Sequence, residues 1–127
     1  MDIKQFTIKT QDALLKAQEV ARELEHSTVD TPHILKGIQL TDDSVLNFLF
    51  KKIGANILAF SAKLEESLKT YPKVSGEAQQ FLSHDANQAL TKAKKQMKEF
   101  GDEYLSIEML LLGMVQGNDK GAQLLKD

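Results

Sequence analysis

Apolar residues recur at three- and four-residue spacing along most of the chain, which is typical of amphipathic helices. In the first half this spacing predicts four helices. They cover about residues 8–25, a stretch that starts at Thr31-Pro32, about residues 43–53, and a stretch that starts near Asn56. Thr7 is placed to cap the first helix, because its hydroxyl can accept from unpaired backbone N–H groups. Gly54 is placed to end the third helix, since glycine tolerates the left-handed conformation that follows many helices.

The second half carries a similar pattern after a stretch of linker composition. Residues 71–80 begin with Tyr71-Pro72 and contain a Ser-Gly pair, and such residues favour turns and loops. Beyond them the apolar spacing predicts a helix over about 83–100, a short helix capped by Ser106, and a last short helix over about 118–125.

A shift of 76 residues brings the second half of the chain onto the first without a gap. The shift matches small and apolar residues and one glycine, placing Ala13, Leu14, Ala17, Leu35 and Gly37 on Ala89, Leu90, Ala93, Leu111 and Gly113. These matches indicate two copies of one unit. We therefore predict an all-α fold of two four-helix repeats about a pseudo-two-fold axis. Repeat one covers about 1–70, the linker 71–80, and repeat two about 81–127.

The same shift predicts a missing element. The counterpart of the fourth helix would occupy 132–146, past Asp127. We therefore expect the second repeat to lack its last helix, and we expect the chain to be a fragment of a longer protein.

Composition and net charge argue against several classes of function. The 127 residues fit one domain, with 42% hydrophobic and 27% charged residues. The net charge of −2 argues against a basic nucleic-acid-binding face. The absence of cysteine excludes disulfides and thiolate chemistry. The longest apolar stretch, residues 109–115, is too short to cross a bilayer, and no signal pattern precedes it. We therefore predict a cytoplasmic protein with no nucleic-acid or membrane partner.

Motifs for catalysis are missing from the sequence. The phosphate-binding pattern G-x-x-x-x-G-K-[ST] and the nucleophile pattern G-x-S-x-G do not occur, so we predict no enzyme activity in this domain. Glu23 and His26 have the spacing of di-iron ligands, but the equivalent positions Glu99 and Asp102 lack the histidine. We therefore predict no metal site, and a small helical-bundle metalloprotein stays an alternative. His26 is expected as a polar side chain at a helix C-terminus.

Recognition is the function class that remains. Two repeats about a two-fold axis leave a groove where they meet, and Met109 and Met114 could line it, because methionine suits adaptable apolar surfaces. Core packing is the alternative for both. Asp102 and Glu108 flank a turn and the first turn of a helix. They could take part in recognition, or they could only complement the backbone N–H groups at the start of the helix. His33 is expected as a partly exposed side chain near the pseudo-two-fold axis, without a catalytic role.

Four segments resemble the Clp N-terminal domain family. They are Phe6–Leu14, Thr31–Gly37, Phe100–Ser106 and Ser106–Gly113, and the resemblance extends over essentially the whole chain. The linker that begins with Tyr71-Pro72 is more similar to the ClpB branch of the family than to ClpA or ClpC.

The resemblance implies a mobile domain tethered to AAA+ rings in the same chain. Such a domain binds unfolded or aggregated polypeptide weakly and passes it to the central pore. It implies no cofactor in this domain, with ATP and Mg²⁺ belonging to the rest of the parent protein. Substrate-binding residues by resemblance are Thr7, Asp102 and Glu108, with Met109 in a nearby apolar groove. Gln96 stands where the family adds a leucine to that groove.

Two other binding modules stay open at this point. One is an adaptor-docking domain of the ClpA or ClpC type, in which a folded adaptor would occupy the surface. The other is a stand-alone two-repeat protein without ATPase rings.

Overall fold

The computed structural model describes residues 3–74 and 80–126. Within them lie a short 3-10 turn (Ile3–Gln5) and seven helices: α1 (Ile8–Glu23), α2 (Thr31–Thr41), α3 (Ser44–Ile53), α4 (Ile57–Lys69), α5 (His84–Glu99), α6 (Ile107–Val115) and α7 (Lys120–Lys126). The predicted all-α repeat fold is confirmed, and each predicted helix is present. Residues 75–79 of the predicted linker lie outside the described residues.

Equivalent residues of the two repeats cap the long helices α1 and α5. Thr7 Oγ1 accepts a hydrogen bond from the Thr10 N–H at 3.2 Å, and Ser83 Oγ accepts one from the Ala86 N–H at 2.9 Å. Thr7 and Ser83 are 76 residues apart, so each repeat begins its long helix in the same way. The predicted cap at Thr7 is confirmed.

Short strands of the two repeats pair with each other. The strand β1 (Thr28–Val29) pairs in parallel with β2 (Phe81–Leu82), and a matching parallel bridge joins Phe6 to Leu105. The two pairings are equivalent under the 76-residue shift, which places Val29 on Leu105 and Phe6 on Leu82. Their hydrogen bonds match as well, because the Ser83 N–H donates to Val29 O at 2.9 Å and the Thr7 N–H donates to Leu105 O at 3.0 Å. Two-residue strands are too short to leave a periodic signal, so the sequence did not predict them.

Two glycines set the distance between the helices of each repeat. A Cβ added at Gly113 would lie 2.7 Å from the Ala89 carbonyl oxygen, and one added at Gly37 would overlap the Ala13 carbonyl oxygen. The backbones of α1 and α2, and of α5 and α6, therefore lie in direct contact. The core around them is apolar and continuous, and its largest fully buried side chains include Ile34, Leu35, Ile38, Leu46, Leu64, Leu90, Leu105, Leu110 and Met114. Met114, a candidate for the groove, therefore belongs to the core.

The turn after the first helix of each repeat has a left-handed residue. Gly101 has φ 72° and Glu25 has φ 61°, and the two positions are 76 residues apart. A residue with a Cβ is strained there, whereas glycine is not.

We expect Gly101→Ala to lower the free energy of unfolding by about 1 kcal/mol, and Glu25→Gly to leave it unchanged or to raise it by up to about 1 kcal/mol. Urea unfolding of both variants measures these effects. Equal destabilisation by the two substitutions would contradict the strain at residue 25.

Candidate functional site

Two of the four predicted site residues line one groove. Thr7 at the start of α1 and Glu108 in the first turn of α6 face a cavity of about 500 Å³. We call it the polar groove; its lining residues are Thr7, Ile8, Lys9, Asp42, Ser44, Val45, Ser106, Ile107 and Glu108. Thr7 is partly buried and Glu108 is exposed.

An ion pair crosses the mouth of the polar groove. Lys9 Nζ lies 2.9 Å from Asp42 Oδ2. Hydrogen bonds from Ser44 and then from Lys9 lower the pKa of Asp42 to about 2. The carboxylate therefore stays charged at neutral pH. Since the lysine side chain is largely exposed, the pair shapes the groove more than it stabilises the fold.

The other two predicted residues lie apart from this lining. Asp102 follows the turn at Gly101, is exposed, and donates its backbone N–H to Met97 O at 2.9 Å. Met109 is partly buried and packs against the core from α6. The substrate-binding role of all four residues stays a prediction.

An apolar groove lies on the pseudo-two-fold axis, between α1 and α5. We call it the axial groove; it measures about 250 Å³ and is lined by Phe6, Gln11, Leu14, Leu15, Gln18, Leu82 and Leu90. Phe6 and Leu82 are 76 residues apart, as are Leu14 and Leu90, so each repeat supplies the same two apolar positions to the lining.

Large apolar side chains are exposed beside the axial groove. Leu15, Phe81 and Leu82 are 60%, 63% and 40% exposed. A cluster of such side chains on a small domain is typical of an interaction surface. A groove where the repeats meet was predicted, but with Met109 and Met114 as its lining, and neither residue lines it. Leu15 gave a signal in the sequence, because it lies beside the stripe of Ala13, Ala17 and Val20 that packs inward.

A second apolar groove has an explanation within the fold. It measures about 340 Å³ and is lined by Leu46, Leu49, Phe50, Ile53, Glu108, Leu111, Leu112, Val115 and Leu125. In repeat one, α4 packs on α2, α3 and α7. Under the 76-residue shift, α2, α3 and α7 correspond to α6, α7 and α3. These are the helices that line this groove. The groove is therefore the surface on which a counterpart of α4 would pack, and no such helix is among the described residues of repeat two.

Repeat one also contains a buried polar cluster, formed by His26, Asp30 and His33. The Asp30 N–H donates to His33 Nδ1 at 3.0 Å, so neutral His33 carries its proton on Nε2. That proton is donated to His26 Nδ1 at 2.8 Å. Both rings are buried, at 3% exposure for His26 and 0% for His33. The expectation of a partly exposed His33 was therefore wrong, because Tyr71 of the linker packs against its ring. His26 does lie at the end of α1, where its N–H donates to Ala21 O at 2.8 Å, but its ring is buried as well.

Charge in this cluster is concentrated on one carboxylate. Burial lowers the pKa of His33 to about 4, and burial also lowers the pKa of His26. Burial acts to raise the pKa of Asp30, but hydrogen bonds from Ser83, Tyr71 and Thr31 outweigh it and lower that pKa. At neutral pH the cluster therefore holds two neutral imidazoles and one ionised carboxylate.

Metal ligation has little support in the described residues. Carboxylate oxygens of Asp30, Asp85 and Asp119 lie within 4.8 Å of one another. However, Asp30 already accepts from Ser83 and Tyr71, and Asp119 accepts from Thr31 Oγ1 at 2.5 Å. Hydrogen bonding therefore accounts for the position of both side chains. No helix in the described part of the chain has the length and hydrophobicity needed to cross a membrane.

Comparison with known proteins gives a consistent result. The model of the Clp repeat N-terminal domain matches residues 5–127. The chaperone protein ClpB of Bacteroides thetaiotaomicron is 33% identical over 127 residues, which are 100% of this chain and 15% of that protein. The chain therefore spans a small part of the length of that relative.

Solved structures share the fold. The Hsp104 N-terminal domain from Candida albicans superposes with a TM-score of 0.79 at 22% identity, covering 96% of this chain and 78% of that one. The N-terminal domain of the ClpV1 ATPase from E. coli superposes with a TM-score of 0.84 at 18% identity, covering 98% and 79%.

Proposed function

Because the chain belongs to the Clp repeat N-terminal domain family, we propose that it receives unfolded or aggregated polypeptide for a ClpB-type chaperone. The family match confirms the resemblance found in the sequence. In this proposal the domain itself catalyses no reaction. ATP and Mg²⁺ belong to AAA+ modules elsewhere in the parent chain, and those modules draw the bound polypeptide onward.

The observation that carries this proposal is the axial groove with its exposed rim. Leu15 and Leu82 offer apolar surface to solvent, and Gln11 and Gln18 add polar groups to the lining. Apolar side chains of a non-native polypeptide would gain free energy by leaving water here. An unfolded chain exposes more large apolar side chains than a folded protein does, so this surface favours unfolded chains.

Weak binding follows from the size of the groove. A cavity of about 250 Å³ holds one or two side chains. The bound polypeptide also loses conformational freedom on docking. Several domains presented by one assembly would compensate, because the second contact forms at a high effective concentration.

The polar groove extends the proposed surface toward α6. Glu108 carries a negative charge at its edge, and Thr7 presents a hydroxyl that already caps α1. A basic residue flanking an apolar segment would be favoured here by charge complementarity.

We expect a permanently unfolded, leucine-containing polypeptide to shift the amide NMR signals of residues around Leu15, Leu82 and Thr7 in fast exchange. Leu15→Ser should weaken binding about tenfold, since it removes most of one apolar side chain that the bound polypeptide would cover. Leu58→Ser is the matched control, because Leu58 is 77% exposed on α4 and lines none of these grooves.

Two results would contradict the proposal. One is an absence of shifts at high polypeptide concentration, which would leave a folded adaptor as the partner. The other is equal weakening by Leu15→Ser and Leu58→Ser, which would show that the axial groove has no particular role.

A further inference from the structure

The strand β2 has one edge that no other strand covers in the described part of the chain. Its other edge pairs with β1, where the Phe81 N–H donates to Ser27 O at 3.0 Å and the Ser83 N–H donates to Val29 O at 2.9 Å. Successive residues of a strand present their backbone groups to alternate edges. The N–H and C=O of Leu82 therefore lie on the uncovered edge, which we call the Leu82 edge.

The backbone groups on the Leu82 edge are weakly paired within the domain. Among the described residues, the Leu82 N–H makes no hydrogen bond, and the Leu82 carbonyl oxygen accepts only from Asn87 Nδ2 at 3.5 Å. The same amide nitrogen lies closer to Ser83 O, at 3.2 Å. Because the side chains of Phe81 and Leu82 are also exposed, a second chain has access to this edge.

The equivalent edge in the other strand pairing is closed. Under the 76-residue shift, Leu82 and Asn87 correspond to Phe6 and Gln11. Phe6 is only 3% exposed, and its carbonyl oxygen accepts from Gln11 Nε2 at 3.1 Å. The glutamine side chain is one methylene longer than that of asparagine, so its amide reaches the carbonyl more closely. The fold therefore closes one of two equivalent edges, and the Leu82 edge stays accessible.

The chemistry of the Leu82 edge suits an extended peptide backbone. A strand from another chain offers N–H and C=O groups at the spacing that a free sheet edge requires. Residues 80–83 are Gln, Phe, Leu and Ser, so neither a charged side chain nor a proline protects this edge. Phe81 and Leu82 lie on opposite faces of the strand, and both would add apolar contacts to a paired segment.

We infer that the Leu82 edge pairs with the backbone of an extended segment of the bound polypeptide. This inference rests on the proposed function, and it adds the conformation and the chemical class of the segment. A residue paired directly opposite Leu82 shares its face of the sheet. Since Leu82 lines the axial groove, the side chain of that residue lies over the groove. The residues on either side of it lie on the face of Phe81.

The inferred pairing predicts which segments the domain prefers. Large apolar and β-branched residues favour an extended backbone and pack well on a half-buried face of a sheet. A Val-Leu-Val segment should therefore bind more tightly than an alanine-rich helical segment of equal length. Because β2 has only two residues, a paired segment gains few hydrogen bonds, and binding stays weak enough for release.

Hydrogen exchange and backbone methylation test the inference. The probe is a Gly/Ser-rich peptide with one central Val-Leu-Val segment, added to the isotope-labelled domain. The Phe81 and Ser83 amides should exchange slowly in the free domain and the Leu82 amide quickly, and saturating peptide should slow Leu82 by about fivefold or more. Methylation of one peptide nitrogen at a time should weaken binding about tenfold at alternate positions only, since neighbouring N–H groups point to opposite edges.

A variant of the domain gives an independent measurement. Asn87→Gln copies the closed edge, so the longer amide should reach the Leu82 carbonyl, as Gln11 reaches that of Phe6, and compete with the N–H of the peptide. We expect the variant to bind the unmethylated peptide about threefold more weakly. Asn47→Gln makes the same change at an exposed position of α3 and should leave the affinity unchanged.

The outcomes separate this inference from the proposed function. Equal binding of all methylated peptides, equal loss at all three positions, or an unchanged Leu82 exchange rate at saturation would overturn the inference. A folded Asn87→Gln variant with unchanged affinity would also count against it. If Leu15→Ser still weakens the binding of unfolded polypeptide in those cases, the proposed function stands without backbone pairing. If neither the peptide nor the unfolded polypeptide shifts any signal, both fail.

Discussion

Replacing Gly37 by alanine is expected to lower the free energy of unfolding by about 3 kcal/mol or more. The added Cβ would overlap the Ala13 carbonyl oxygen and lie 3.0 Å from Ala17 N. Both obstacles are backbone atoms of α1, so no side-chain rotation can relieve the clash. The helices α1 and α2 would have to separate, and that movement would open the core around Leu35 and Ile38.

Two further glycine variants give this prediction its controls. Gly113→Ala should destabilise the domain similarly or slightly less, because its nearest obstacle is Ala89 O at 2.7 Å. Gly117→Ala should cost no more than about 1 kcal/mol, since its nearest neighbour, Asp119 Oδ1 at 3.2 Å, is a side-chain atom that can move. Urea denaturation of the three variants measures the differences. Similar stabilities for Gly37→Ala and Gly117→Ala would show that the close helix contact is not a constraint.

Acidification from pH 7 to pH 4 is expected to remove about 2–3 kcal/mol of stability, mainly through His33. Burial lowers its folded-state pKa to about 4, below the ordinary value of 6.5. As the pH falls below 6.5, unfolded chains bind a proton at this residue and folded ones do not. The stability contributed by neutral His33 is therefore fully present above pH 6.5 and is lost between pH 6.5 and 4.

The hydrogen bonds give the physical reason for this loss. A proton on His33 Nδ1 would remove the acceptor for the Asp30 N–H, and a proton on His26 Nδ1 would remove the acceptor for His33. The lowered pKa values of Asp30 and Asp42 act at more acidic pH, because stabilised carboxylates lose their contribution only on protonation.

Thermal unfolding at intervals between pH 4 and pH 7 measures this dependence. His33→Met, which copies the residue of repeat two, should flatten the profile while lowering stability at pH 7. His84→Gln is the control for replacing a histidine, because His84 is exposed on α5 and lies outside the buried cluster. A flat profile for the original domain would contradict the neutral imidazole pair.

The helices could be predicted from the sequence because each buries a repeating apolar stripe and has caps of well-known chemistry. Thr7 and Ser106 signal helix starts by residue type alone, and Gly54 signals a helix end. The internal repeat predicted that the helices form two similar units. Gly37 and Gly113 fit this prediction, because each lies where two helices of its repeat are in close backbone contact.

The parts that could not be predicted depend on contacts between distant residues. His26 becomes buried only because Tyr71, 45 positions later, packs against it, and no local pattern reports such a contact. Likewise a groove between the repeats was predicted, but not its lining by Leu14 and Leu90, which come together only across the pseudo-two-fold axis. The predicted site residues Thr7, Asp102, Glu108 and Met109 came from family resemblance, and the structure places only Thr7 and Glu108 in one groove.

The exchange of strands between the repeats has a consequence for how the domain opens. Phe6 of repeat one pairs with Leu105, and Leu82 of repeat two pairs with Val29, so neither half keeps these inter-strand hydrogen bonds if the other half unfolds. Such interlocking favours all-or-none unfolding over a population of half-open molecules. This matters for the proposed function, because a half-open copy would expose the same kind of unfolded segment that the domain is proposed to bind, and neighbouring copies would then bind it.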